Sequence, residues 1–159
     1  MPFAGIEKMI SQLQAFDPHA ELLNIVSSNT EVLADYIRDQ LSQGLDGNDQ
    51  PNTIFGKEEY ANATVFIKLS EGSGLGAVVD YITNYMTGDF YASLKVNVEG
   101  DLFDADSDVP YFGDIRLYSS EALLKVNAEH RLQFAKEYVI PGMAVVLLQK
   151  TNLKLTGAV

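Results

Sequence analysis

The stretch SLKVNVEGDLFDAD, residues 93–106, decides the fold that this sequence predicts. Its first half alternates apolar and polar residues, which is the period-two pattern of a half-buried strand. The turn-forming Glu99-Gly100-Asp101 follows, and a second apolar run then starts at Leu102. The pattern predicts an antiparallel β-hairpin near residues 90–107. The apolar positions of its first strand are Leu94, Val96 and Val98.

Apolar residues recur at three- and four-residue steps on the N-terminal side of this hairpin, which predicts helices there. The first predicted helix, Phe3–Phe16, is an N-terminal extension. Asp17-Pro18 begins a second helix, because Asp is a good N-cap and Pro suits the first helical position. A third helix starts at Asn29 or Thr30 and ends at Gly44.

The segments between these helices and the hairpin, and just after the hairpin, have less regular patterns. Strand-forming residues from Ala61 to Leu69 predict a strand. The glycines of Gly72–Ala77 predict a flexible loop, and the apolar residues between Val78 and Met86 predict a helix. Tyr111–Leu117 predicts a further strand.

The C-terminal part of the chain is again helical in pattern. Helices are predicted over 120–126 and 127–148, with Pro141 expected to kink or end the second. Helices, a small antiparallel sheet and further helices make an α+β fold. We expect a single α+β domain over 1–150, and a flexible tail over 151–159.

The composition limits the classes of function. The chain carries 22 acidic and 11 basic side chains, a net charge of −11, so its surface repels phosphate backbones and argues against sequence-specific nucleic-acid binding. The absence of cysteine excludes disulfides and thiolate chemistry. The N-terminus does not resemble a secretory signal, and the longest apolar stretch, Tyr138–Leu148, is too short to span a bilayer. We expect a soluble protein without a membrane anchor.

One motif points to nucleotide binding. Gly72-Ser73-Gly74-Leu75-Gly76-Ala77 fits G-x-G-x-x-G/A, and Glu99 or Asp101 could be the acid that contacts a ribose. Glu71 would place a negative charge beside the pyrophosphate, and Glu99 closes a hairpin where a parallel strand is required. Two interpretations of this segment therefore stay open. It belongs to a small nucleotide-binding protein that uses Gly72, Gly74, Gly76 and Glu99, which is the alternative function, or it is a flexible loop that needs glycine only for its conformation.

No catalytic or metal-binding set emerges from the remaining residues. Asp104–Asp108 opens like a calcium loop, but Val109 and Ile115 occupy the positions where that loop needs Gly and Glu. The only two histidines, His19 and His130, lack zinc-ligand spacing. We predict a protein that is not an enzyme and that has no cofactor and no metal site.

The residues from Tyr85 to Val96 carry a family resemblance. The segment contains Thr87-Gly88, then Phe90, then Ser93-Leu94, which leads into a strand. This order is similar to a series in neck and tail-completion (virion-morphogenesis-like) proteins of tailed bacteriophages. The chain most resembles a version from phages and prophages of Bacteroides-like bacteria. Three further segments match that version: Gly100–Phe103, Leu117–Glu121 and Phe134–Pro141.

The resemblance implies a virion structural protein, assembled in the host cytoplasm into a homomeric ring between portal, neck and tail proteins. Such a ring needs head-to-tail contacts that close by rotation. If DNA passes through the lumen, acidic side chains there would keep it from sticking. An adaptor that forms no ring is a further alternative. The residues expected to contact partners are Thr87, Gly88, Phe90, Tyr91, Tyr111, Phe112, Tyr138 and Pro141.

Overall fold

The computed structural model describes residues 4–85 and 87–151. In chain order, helices come first and last, and a two-stranded antiparallel sheet comes between them. This is the predicted α+β fold. The helices are α1 (Ala4–Gln14), α2 (Pro18–Ser27), α3 (Thr30–Ser42), α4 (Asn62–Glu71), α5 (Asp89–Ser93), α6 (Phe112–Tyr118), α7 (Ala128–Phe134) and α8 (Ile140–Thr151), and the strands are β1 (Lys95–Glu99) and β2 (Leu102–Asp106). A 3₁₀ turn covers Gly74–Ala77 and a π-helical turn covers Ala135–Val139.

The predicted hairpin is confirmed. Val96 pairs with Ala105 and Glu99 pairs with Leu102, so the turn falls at Gly100-Asp101. Gly100 has a φ of +57°, a left-handed conformation that glycine adopts without strain. Val96 and Ala105 are buried, whereas Leu102 is exposed near the turn. The hairpin therefore has a buried base and an apolar tip in solvent.

The predicted starts of the second and third helices are also confirmed. Asp17 caps α2, because its Oδ1 accepts hydrogen bonds from the backbone N–H groups of His19 and Ala20 at 3.0 and 3.1 Å. After α3 the chain turns at Gly44, whose φ is +74°. In the first predicted helix, Phe3 lies outside the described residues.

The prediction of a strand at Ala61–Leu69 is wrong, because α4 occupies this segment. A short apolar run does not by itself distinguish a strand from a helix. Phe66 and Leu69, three residues apart, are both exposed, while Lys68 is buried. The segment thus places apolar side chains in solvent and a charged one inside, the reverse of what its composition indicates.

Two further elements differ from prediction. Residues 78–85 form no helix; left-handed Asn84 (φ +54°) interrupts the backbone, and Met86 lies outside the described residues. The segment Tyr111–Leu117, expected to be a strand, is helical in α6.

The helix predicted over 120–126 is a run of turns instead. The backbone N–H of Gly47 donates to the carbonyl of Ala122, and the side-chain amide of Gln40 donates to the carbonyl of Lys125. These carbonyls therefore bind other elements and not the N–H groups four residues on. The predicted restart at Asn127 is confirmed, since its Oδ1 caps α7 through the N–H of His130 at 2.9 Å.

Pro141 does not end the C-terminal helical run. Its missing N–H cannot form the usual hydrogen bond four residues back, and the five residues Ala135–Val139 before α8 are π-helical. The hydrogen-bond pattern of the helix thus changes in the turn where the N–H of Pro141 is missing, and the chain continues as α8.

The chain forms two compact units. The described part of the first, residues 4–29 and 133–151, contains α1, α2 and α8; a Cβ added at Gly142 would lie 2.8 Å from Ile25, so α8 and α2 approach closely there. The second, residues 30–132, is called the central unit below. The single domain expected over 1–150 stays a prediction. Of the tail predicted over 151–159, Thr151 is the last residue of α8, and residues 152–159 lie outside the described residues.

The core of the central unit is built around α3. Its residues Leu33, Ile37 and Leu41, spaced four apart, form one buried stripe, and α3 packs against β1. Within residues 4–85 and 87–151, none of the helices has both the length and the apolar run that crossing a membrane requires.

Candidate functional site

The Thr87-Gly88 turn lies at the start of α5. Gly88 has a φ of +96°, and a Cβ added there would lie 2.7 Å from the hydroxyl of Tyr85. Thr87 Oγ1 donates a 2.7 Å hydrogen bond to Asp89 Oδ2. Both the backbone conformation and the space around it require glycine, so the turn has a structural reason within the monomer.

The segment before this turn, Ile82–Tyr85, has its backbone bound by side chains; we call it the strap. The hydroxyl of Tyr60 accepts hydrogen bonds from the N–H groups of Thr83 and Asn84, at 2.9 and 3.2 Å. Tyr91 donates its hydroxyl hydrogen to the Thr83 carbonyl at 2.6 Å, and burial raises the pKa of this phenol. Side-chain partners replace a helix or sheet ladder along this segment.

Lys68 is the buried cation of this network. Its side chain is 1% exposed, its ammonium donates to the carbonyl of Tyr85 at 2.6 Å, and it lies 4.8 Å from the centre of the Tyr60 ring. In the part of the chain that the structure describes, no carboxylate lies within 4.0 Å of Lys68 Nζ. A carbonyl and an aromatic face thus take the place of a counter-ion.

Arg38 joins α3 to α5. Its guanidinium donates to the carbonyls of Tyr91 and Leu94, at 2.8 and 2.5 Å, and to the carboxylates of Glu31 and Asp35, both at 2.6 Å. The Tyr91 carbonyl also accepts the N–H of Leu94 at 3.4 Å, and Arg38 gives the carbonyls at the end of α5 a further donor. The strap, through the Tyr91 hydroxyl, and Arg38, through the carbonyls of Tyr91 and Leu94, therefore both hold α5.

Three of the residues predicted to contact partners are buried in the central unit. Phe90, Tyr91 and Phe112 are at most 8% exposed, and the Phe90 ring lies 5.9 Å from Tyr91 and 6.1 Å from Phe112. Buried side chains present no surface to a partner, so these three belong to the core. Thr87 and Tyr111 are exposed.

An open groove of about 420 Å³ lies beside α5; we call it the α5 groove. Its lining includes the apolar residues Val109 and Pro110 and the carboxylates of Asp89 and Asp108. Tyr111, 44% exposed, is also part of it, and burial together with the carboxylate of Asp89 raises the pKa of its phenol. The residues that line the groove are Asp89, Ala92, Ser93, Asp108, Val109, Pro110 and Tyr111.

A tight turn at Ile54–Lys57 presents an aromatic ring to solvent. Phe55 and Gly56 both have positive φ, +52° and +71°. The side chain of Phe55 is 70% exposed, its N–H donates to the carbonyl of Tyr118 at 2.8 Å, and the two rings lie 4.3 Å apart. No periodic pattern marks Phe55 in the sequence, because it is a single Phe before a Gly in a polar loop.

The remaining two predicted contact residues belong to the other unit. Tyr138 is half-buried with its ring stacked on Phe134 at 5.2 Å, and Pro141 is exposed. Pro141 is therefore the more accessible of the two.

The glycine motif does not have the context that dinucleotide binding needs. It follows α4 and not a strand, and residues 74–77 form a 3₁₀ turn instead of the start of a longer helix. A Cβ added at Gly72 would lie 2.3 Å from the carbonyl oxygen of Gly76 and 2.4 Å from that of Lys68. Close backbone packing therefore accounts for glycine at position 72.

The acidic cluster after the hairpin turn is matched by cations. Asp106 and Asp108 share Lys95, at 3.8 and 2.6 Å, and Asp104 lies 3.7 Å from Arg116. Among the residues that the structure describes, no group of three or more His, Cys, Asp or Glu side chains is arranged to hold a metal ion.

Comparison of the chain with protein-family models, with curated proteins and with solved structures finds no match.

Proposed function

We propose that this chain is a virion structural protein of a tailed bacteriophage, a subunit of a head–tail connector, neck or tail-completion ring that forms part of the DNA conduit. The feature that carries the proposal is the series Thr87-Gly88, Phe90 and Ser93-Leu94, which resembles phage neck and tail-completion proteins. Four large side chains on separate elements, Phe55, Phe66, Leu102 and Leu117, are each 70% exposed or more. Single exposed apolar side chains are ordinary on a protein surface, and in a ring they would be available to neighbouring copies.

The rigidity of the turn before the hairpin supports the same proposal. The series that resembles the phage proteins begins at Thr87-Gly88, where Gly88 needs its positive φ, and continues through α5 into β1. Arg38 and the strap hold α5 by hydrogen bonds. A rigid element presents the same contacts in every copy, as a closed ring requires.

Charge fits a role beside DNA. With a net charge of −11, acidic side chains that face the lumen would repel the phosphate backbone, and DNA would pass without binding. The partners in this role are further copies of the chain and the portal, neck or tail proteins above and below, in a virion assembled in the bacterial cytoplasm.

Deletion of the gene in the phage or prophage that encodes it tests the proposal. We expect induced cells to accumulate separate heads and tails by negative-stain electron microscopy, and a plasmid copy of the unchanged gene to restore joined particles. The protein should also be found by mass spectrometry in purified particles at several copies per particle. Normal, infectious particles from the deletion strain would contradict the proposal. One copy per particle would favour an adaptor that forms no ring.

A further inference from the structure

We propose that the exposed apolar surface of the unit built from α1, α2 and α8 is where one copy of the chain contacts a second copy. The described part of this unit, residues 4–29 and 133–151, is called the terminal unit below. The inference deepens the proposed ring, because it names the part of the subunit that meets its neighbour, and it rests on that function. Three observations carry it: the uncovered side of α8, an exposed stripe on α1, and the division of charge along the chain.

The sequence of α8 is apolar all round. None of the nine residues Ile140–Leu148 has a charged or polar side chain. α8 packs against α1 and α2, yet Ile140 and Val145 remain 63% and 51% exposed. A helix that is apolar all round is normally covered all round, and the described residues leave one side of α8 in solvent. The exposed residues that we call the α8 face are Ile140, Pro141, Ala144 and Val145.

A second apolar surface lies on α1, in the same unit. Ile6, Ile10 and Leu13 recur at steps of four and three residues, and they are 49%, 48% and 45% exposed. We call them the α1 stripe; such a stripe normally faces a core. Specific contacts between proteins bury about 800 Å² on each partner, and one side of a 12-residue helix, about 18 Å long, offers less. We therefore expect both surfaces to take part in the contact.

The charge of the chain is divided unevenly between its parts. Residues 30–132, the central unit, carry 18 acidic and 7 basic side chains, which accounts for the entire net charge of −11. Residues 1–29 and 133–159 carry four acidic and four basic side chains, and so have no net charge. A contact between two central units would bring like charges together, whereas a contact between two terminal units would not. The terminal unit is thus the part through which identical copies approach with least repulsion.

Other partners fit this surface less well than a second copy does. A basic protein would be attracted to the central unit, which has the excess of carboxylates. Helices that lie on membranes carry several Lys and Arg side chains on their polar side. In contrast, the charged residues of α1 are Glu7 and Lys8, and that of α8 is Lys150, which pairs with Glu21 at 2.7 Å. A neutral apolar surface that recurs on every copy of a ring subunit is best covered by the same unit of a neighbouring copy.

Sedimentation equilibrium of the full chain tests the contact, at concentrations from about 1 μM to about 1 mM, which cover weak and strong association. We expect association that increases with concentration. Ile140→Lys combined with Val145→Lys, in the α8 face, should raise the dissociation constant by about tenfold or more. The matched control, Phe66→Lys combined with Leu117→Lys, adds the same charge at two exposed helical positions of the central unit and should leave the dissociation constant unchanged.

A variant on the other helix keeps the test independent of any one substitution. Ile10→Lys in the α1 stripe should also weaken association. The substituted side chains are exposed, so circular dichroism should show that each variant keeps the helix content and melting temperature of the original chain.

Salt distinguishes this contact from one made by ion pairs. Because the contact is apolar and has no net charge, association should persist or strengthen from about 0.05 M to about 0.5 M NaCl, as salt screens the repulsion between central units. A chain that stays monomeric over the whole concentration range would overturn the inference, as would equal effects of the two double variants or a steep loss of association with salt. Binding of the unchanged chain to vesicles of phosphatidylcholine and phosphatidylglycerol would also overturn it, because the surface would then take lipid.

The deletion phenotype of the proposed function is measured independently. Unjoined heads and tails together with a chain that stays monomeric would leave the ring function and reject this contact. Association that depends on the α8 face, together with normal particles from the deletion strain, would leave the contact and reject the ring function.

Discussion

Replacing Gly88 by Ala tests whether the turn before α5 is fixed by its surroundings. The substitution adds a Cβ at a φ of +96°, where it would lie 2.7 Å from the Tyr85 hydroxyl and 3.1 Å from the adjacent ring carbon. Left-handed backbone costs a non-glycine residue about 1–2 kcal/mol. Displacing the Tyr85 ring adds about 1–2 kcal/mol, the lower part of the range for overpacking.

Gly88→Ala should therefore destabilise the protein by about 2–4 kcal/mol, which for a chain of this size lowers the melting temperature by about 4–16 °C. Gly100→Ala is the matched control, because Gly100 also has a positive φ, +57°, but no atom lies within 4 Å of the added Cβ. It should cost only the backbone part, about 1–2 kcal/mol.

Calorimetry and urea denaturation of the two variants, and of Gly88→Ala in a Tyr85→Phe background, give the measurement. Removal of the hydroxyl takes away the nearest atom, so the cost of Gly88→Ala should fall by about 1 kcal/mol in that background. Equal costs for Gly88→Ala and Gly100→Ala, with no coupling to Tyr85, would refute the argument that packing as well as backbone conformation requires glycine here.

Three further changes probe the buried network and the charges. Tyr91→Phe leaves the buried carbonyl of Thr83 without this donor and should cost about 1–2 kcal/mol in urea denaturation; an unchanged midpoint would contradict the structural role of the strap. Lys68→Met removes a buried ammonium that has no carboxylate partner among the described residues. The free energy of unfolding should therefore stay within about 1 kcal/mol of the original or rise, and a decrease above about 2 kcal/mol would show that the ammonium itself stabilises the fold. The pKa of Glu21 is lowered from its ordinary 4.5, chiefly by the hydrogen bond from Lys150, so this contribution to stability is present above pH 4.5 and lost as the pH falls through the lower folded value. Lys150→Met should lower the melting temperature near about pH 7 but not near about pH 2, and an equal loss at both would contradict the ion pair.

The predictable parts of the fold are those that local sequence determines. The hairpin follows from alternation around Gly100, and the start of α2 follows from Asp17, whose carboxylate needs only the next three residues to act as a cap. Asn127 caps α7 for the same reason. These features depend on neighbours in the chain, so a single sequence contains their signal.

The features that could not be predicted depend on distant partners. The β-branched residues near Val65 favour a strand locally, yet α4 forms with Lys68 inside, because Tyr60 and the carbonyl of Tyr85 supply its contacts. The strap lacks the predicted helix because side chains from other elements bind its backbone. No short pattern encodes such partners.

The candidate site likewise contains residues that the sequence predicts and residues that it does not. Tyr111 is one of the residues predicted to contact partners, and it is exposed in the α5 groove. Its neighbour Phe112 has the same local context but is buried, because it is the first residue of α6 and its ring lies against Phe90, 6.1 Å away. Phe55 was missed, because its strained conformation and its contact with Tyr118 appear only in three dimensions.

Cryo-electron microscopy of the head–tail junction in purified particles tests the central claim most directly. We expect density for a closed ring of identical subunits that fits the central unit. A junction without this chain, or with a single copy of it outside a ring, would contradict the account.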